Sequence, residues 1–339
     1  MTKMKWTGVW VGVGALAAIT QVSVAQFVPG EQSLLSAHNC YPYHGMWGDR
    51  IERALATGYP LSIELDLCWA TPEGEQAPRS IVAHNGPYTG DEPTLESYFF
   101  ERLRGDVEAS LARAQNDANE RDHWPMVVLD LDIKDDKPAH IRSIRSVLER
   151  YRDWLTTAPV AESIKQQQAL DPKPIMVLMA GTDTQQRIFH DEIGVGEPIL
   201  AFGRCQTHAP DTRGMSEDQK QRARVEFSPE QMVDLPADNY HRWWNNAWDV
   251  VEAGGPTRCG DWTSQDEQRL RSLVKHAHHL GYFIRFYTIN GHTGADALSR
   301  GYSGGYNTGS IDAARERWRA EIEAGVDLIA TDQYVLFGK

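Results

Sequence analysis

Short apolar runs alternate with longer amphipathic stretches along almost the whole chain. No other feature of the sequence constrains the fold as strongly. Strand-like runs fall at 34–39, 61–67, 81–84, 126–133, 175–180, 199–203, 224–227, 283–289 and 328–331. Helix-like stretches fall at 48–57, 95–119, 139–156, 183–192, 264–280 and 311–324. In the last of these, Ala313, Trp318, Ile322 and Val326 recur at near-helical spacing. Regular strand–helix alternation makes a mainly parallel sheet covered by helices. The chain holds roughly eight such units, which predicts a single α/β domain, a (β/α)8 TIM-type barrel with some irregularity. A doubly wound open sheet is the alternative. It is disfavoured because no GxGxxG follows the first strand and because polar residues gather at strand ends.

The first 25 residues read as a signal peptide. Lys3 and Lys5 are basic, residues 9–19 are apolar or small, and Ser23-Val24-Ala25 resembles a cleavage site. A retained membrane anchor is the competing reading, but the apolar run is short for a spanning helix. Residues 26–339 would then form one exported domain, periplasmic or extracellular, expected as a monomer. The chain carries a formal charge of −13, and losing Lys3 and Lys5 takes it to −15. Such acidity excludes a general nucleic-acid binder. It also repels anionic membranes on average, leaving peripheral membrane contact to a local patch. Trp243, Trp244 and Trp248 cluster within 239–249. That cluster reads as core or lid packing before it reads as a lipid or sugar contact.

The chemistry concentrates at strand ends. The stretch LSIELDLCW (61–69) puts Ile63, Leu65 and Leu67 on one strand face and Glu64 with Asp66 on the other. Two carboxylates pointing the same way repel unless water or a cation separates them. The first strand ends in His38 and Asn39, a short later strand in His84, and the strand at 126–133 in Asp130, Asp132 and then Lys134. In a barrel these ends meet at one mouth. Glu64, Asp66 and Asp132, with the amide oxygen of Asn39, form a donor set for one hard divalent cation, Ca²⁺ or Mg²⁺. His38 and His84 would flank that cation as general acid and base on a phosphodiester, with Lys134 assisting at the phosphate. The competing reading makes Lys134 a plain neutralising partner for Asp130 and Asp132.

The runs SAHNCY, ALATGYPLSIELDLCW and IVAHNG resemble the catalytic half of phosphoinositide-specific phospholipase C. More widely, the chain is similar to the phospholipase-C-like phosphodiesterases, which include the glycerophosphodiester phosphodiesterases. The resemblance implies a TIM-type barrel, His38 and His84 as the acid/base pair, and Asn39, Glu64, Asp66 and Asp132 as metal ligands. Lys134 matches the lysine of an acidic-x-Lys element in glycerophosphodiesterases. The match is close over 36–86 and scattered beyond. Asp132 stands where Glu is commoner. Asn39 stands where glycerophosphodiesterases usually carry Arg, which favours Ca²⁺ over Mg²⁺ and a phospholipid-cleaving activity of the phosphoinositide phospholipase C type. Glycerophosphodiester or phospholipase-D-type cleavage is the rival, and a secreted ligand-binding barrel without turnover is the rival from another class. A carbohydrate-active barrel fits poorly, since carboxylates two apart on one strand do not flank a glycosidic bond.

Cys40, Cys68, Cys205 and Cys259 allow two disulfides in an exported protein. Cys40 follows His38 by two and Cys68 follows Asp66 by two, so the expected pairs are Cys40–Cys68 and Cys205–Cys259. His276, His278 and His279 read as a solvated helix end. The Gly- and Tyr-rich loop after Ile289, with Arg300, Tyr302 and Tyr306, reads equally as a lid or as plain surface.

Overall fold

The structure, a computed structural model, describes residues 27–42, 47–299 and 304–337. The expected signal peptide at 1–25, and with it His44, Arg300 and Tyr302, lies outside the described residues. Nine strands form one sheet: β1 (Leu34–Ala37), β2 (Leu61–Ala70), β3 (Arg79–Val82), β4 (Val127–Ile133), β5 (Ile175–Met179), β6 (Phe202–Arg204), β7 (His241–Ala247), β8 (Phe283–Tyr287) and β9 (Leu328–Thr331). Strand β1 pairs in parallel with both β9 and β2, so eight strands close into a parallel barrel. The ninth, β3, lies antiparallel on β2 and is the irregularity in an otherwise regular (β/α)8 plan.

The main helices are α1 (Arg50–Leu55), α2 (Glu101–Asn116), α3 (Pro138–Arg150), α4 (Glu217–Glu226), α5 (Ser264–His279) and α6 (Ile311–Ala324). The alternation in β2 sorts its residues as its pleat requires. Ile63, Leu65 and Leu67 are fully buried in the same apolar cluster as Leu103 and Val107 of α2 and Ile141 and Ile144 of α3. Burying each such side chain contributes about 1.5–3 kcal/mol. Glu64 and Asp66 take the other face, into the barrel. Parallel register places Glu64 beside Asp130 and Asp66 beside Asp132. At the opposite end Phe27 stacks on Phe283, with ring centroids 4.4 Å apart and planes 15° apart, and closes the floor. Among the described residues, no helix is long and apolar enough to cross a membrane.

Three expectations need correction. Residues 224–227 are not a strand. They end α4, whose start is fixed by Ser216 and Gln219 in a reciprocal capping box. The missing barrel strand is β7, inside the tryptophan cluster. Trp243 faces the cavity inside the barrel, while Trp244 packs outward in a separate cluster with Leu270 and Leu273 of α5. The four cysteines are free. The Cys68 thiol donates to the carbonyl of Ala83, 3.1 Å away beside β3. Cys40 is buried toward Arg50 and Glu52 of α1, and burial pushes its thiol up to about 12. Neighbouring strand ends thus turn these two side chains into different surroundings, and a disulfide needs both Cβ directions to converge. His276 and His278 are tied down rather than solvated, the first to the Val233 carbonyl at 2.7 Å and the second to Asp327 at 2.9 Å.

Candidate active site at the barrel mouth

The end of β1 turns sharply at Asn39, which sits at φ 52°. Asparagine is among the few residues that enter this left-handed region readily. Arg50 of α1 donates to the Asn39 carbonyl and holds the turn. His38 therefore faces inward, its carbonyl held by the Tyr334 hydroxyl at 2.6 Å. Its Nδ1 lies 3.0 Å from Asp332 Oδ1. A carboxylate at that distance favours a proton on Nδ1, although the Asn39 amide nitrogen also lies 2.9 Å from it, and Nε2 points toward the mouth, 3.7 Å from Glu64. Asp332 is itself fixed by Asn290, whose amide donates to Oδ2 at 2.5 Å, and by Asn39, whose amide donates to Oδ1 at 3.1 Å. Neither Asp332 nor Asn290 was singled out from sequence.

His84 arrives from a different direction. It follows β3, and the Ala83 amide donates to the Asp66 carbonyl at 3.1 Å, folding this arm over the mouth. His84 Nε2 lies 3.9 Å from Asp66 Oδ2. The two predicted imidazoles thus reach adjacent carboxylates, one at each.

Glu64, Asp66 and Asp132 each offer one oxygen, and the three lie within 4.8 Å of one another. Asp66 Oδ1 is buried and has no hydrogen-bond partner, which is the kind of atom a bound cation satisfies. The donor set therefore fits a hard divalent ion. All three carboxylates also have protein partners. Lys134 sits between Asp66 and Asp132, 2.8 and 2.6 Å from their Oδ2 atoms. Arg285 of β8 pairs with Glu64 and lies 3.4 Å from Asp130. The amide oxygen of Asn39 faces the Tyr41 hydroxyl at 2.6 Å, and that hydroxyl is 2.8 Å from Asp66 Oδ2.

The electrostatics follow from burial and crowding. Burial, then repulsion by Glu64, pushes the Asp66 carboxyl up to about 7, against the pull of Lys134. Burial pushes Asp130 up to about 8 although Arg285 pulls it down. Burial alone would lower His38, but Glu64 and Asp332 outweigh it and raise it. His84 is lowered by burial and by Lys134. The floor of the mouth is a cavity of about 290 Å³ lined by His38, Glu64, Asp132, Arg204, Trp243 and Tyr306, among others. Tyr306, from the loop after Ile289, meets the His38 ring edge-on at 5.2 Å. Such an arrangement can bind an anion between cations, take a proton at one imidazole and deliver one from the other.

No family model matches the chain, and no curated protein matches it. Among solved structures it is similar to a glycerophosphoryl diester phosphodiesterase from Parabacteroides distasonis, with 12% identity over 93% of this chain and 88% of that one, at a TM-score of 0.39. It is also similar to a calcium-dependent phosphoinositol-specific phospholipase C from Pseudomonas sp, with 9% identity over 92% and 93% and a TM-score of 0.44. A third likeness, to Plasmodium falciparum HPPK-DHPS, has 8% identity over 91% of this chain and 47% of that one, with a TM-score of 0.39.

Proposed function

We propose that this chain is an exported, metal-dependent phosphoric diester hydrolase acting on a phospholipid or glycerophosphodiester, in the manner of a phosphoinositide phospholipase C. The observation that carries the reading is the pair of imidazoles, His38 and His84, 3.7 and 3.9 Å from adjacent carboxylates of one acidic cluster. Glu64, Asp66 and Asp132 would hold a divalent cation, Ca²⁺ in preference to Mg²⁺, with the Asn39 amide oxygen nearby. When bound, that cation supplies charge stabilisation for the nonbridging oxygens of the phosphate.

The chain's own residues do the rest. One histidine takes the proton of the attacking hydroxyl, and the other gives a proton to the departing alkoxide oxygen. Asp332 keeps the His38 ring in one orientation throughout. Lys134 and Arg285 hold positive charge beside the phosphate position. If a neighbouring hydroxyl on the substrate attacks first, a cyclic phosphate forms; water then opens it with the histidines in exchanged roles.

The test is turnover of a panel of phosphodiesters with and without EDTA, with His38→Ala as the control. A phosphorylated head group as product supports C-type cleavage. Glycerol 3-phosphate as product supports the glycerophosphodiesterase rival. Undiminished turnover in EDTA would remove the metal from the reading, and full activity in His38→Ala would remove the acid–base pair.

A further inference from the structure

A second cavity, of about 220 Å³, lies at the other end of the barrel. It is lined by Phe27, Pro29, Gln168, Leu170, Arg242 and Phe283, among others. Arg242 is the second residue of β7 and is only 4% exposed. Its NH2 donates to the Gln168 carbonyl at 2.7 Å, and its guanidinium lies over the Phe202 ring at 5.7 Å. Its Nε is buried with no partner. Among the described residues, no carboxylate stands within ion-pair distance of it. Asp238 is near in sequence but its oxygens are already taken by the amides of Tyr240 and His241 and by the His241 ring, at 2.6–2.9 Å.

A buried cation without a counter-charge is costly, and this end of such a barrel ordinarily serves stability alone. A chain selected only for stability would gain by an apolar residue here. We propose that this cavity binds a small monocarboxylate with an apolar body, its carboxylate paired to Arg242. The planar guanidinium suits a carboxylate, which it can meet with two parallel hydrogen bonds. The rings of Phe27 and Phe283 and the side chain of Leu170 receive the apolar part. The volume sits below the ~300 Å³ where drug-sized pockets begin, so the ligand is a few carbons long.

Hexanoate is the probe, with hexan-1-ol and hexylammonium as controls, titrated into the intact protein by calorimetry. Saturable hexanoate binding is expected, about tenfold or more tighter than either control. Arg242→Gln weakens it by at least about tenfold. Ala169→Phe, at an exposed rim position of the same cavity, blocks it, and decides the question if Arg242→Gln fails to fold. His38→Ala leaves it unchanged. Absence of saturable binding, equal binding of hexan-1-ol, or binding that survives Ala169→Phe and vanishes in His38→Ala would each overturn the proposal, the last by moving the ligand to the mouth.

Discussion

The barrel mouth and the helix layer both bury carboxylates, and they treat them in opposite ways. At the mouth Glu64, Asp66, Asp130 and Asp332 each meet a cation, an imidazole or an amide. On α6, Glu321 is 1% exposed and neither of its oxygens has a partner. Burial raises its carboxyl well above the ordinary range, against the pull of Arg285. The contrast teaches that burial by itself does not mark a working acid. What marks the mouth is convergence: several acids share one space with bases and cations that could neutralise only some of them.

The strongest way to break that contrast is to remove an imidazole. His38→Ala and His84→Ala are each expected to cut turnover by about 10²–10⁴-fold with little change in thermal stability. A stability loss without an activity loss would reduce both to packing residues. Next in size is the acidic cluster. Chelation should lower turnover and Ca²⁺ restore it, while Asp66→Asn weakens cation binding measured directly by calorimetry. Equal cation binding by Asp66→Asn and the parent protein would detach Asp66 from the site.

Asp332→Asn should lower turnover by roughly ten- to a hundredfold, since a positioning partner of the His38 ring is lost and the protonated nitrogen is no longer assigned. Its signature is a changed pH–rate profile, which a purely structural role would leave alone. Glu321→Gln tests the other half of the comparison. A group whose folded pKa is raised contributes its stability below the unfolded value, near 4.3, and loses it as pH rises toward the folded value. Wild type and Glu321→Gln should therefore melt alike near pH 4 and diverge above it, the variant gaining at a limiting slope of about 1.4 kcal/mol per pH unit. Parallel melting curves from pH 4 to 8 would mean that Glu321 finds a partner in solution. The smallest expected effect is none: with four free thiols, a reducing agent should leave the melting temperature unchanged.

Much of this architecture was legible because it is local. The period-two pattern of β2 told which residues face inward, and that alone brought Glu64 and Asp66 together. His38, Asn39 and His84 lay close enough in sequence to be read with them. Asp332 and Arg285 were not legible, because they reach the site only when the last strands close against the first; His38 and Asp332 are 294 residues apart. β7 was hidden for another reason. Its inward face carries Asn245 and its outward face carries Trp244 and Asn246, so neither alternation nor a continuous apolar run shows. At 224–227 the sequence does carry the helical signal, since Ser216 and Gln219 spell a helix start three residues apart. The cysteine pairing failed because position along a strand end does not fix the direction of Cβ once the chain leaves the strand.

Strand β3 lies at the end of the sheet order, outside the closed barrel. His38 belongs to the closed wall, whose strands are each held on both sides. His84 rides on a flap whose one strand partner among the described residues is β2, its other border held by the Val82 amide donating to the Pro93 carbonyl at 2.8 Å. The gap between the two imidazoles therefore depends on how that flap rests on β2 and on the segment at Pro93, and sequence changes along its outer border offer a way to retune the proposed reaction without touching the closed wall.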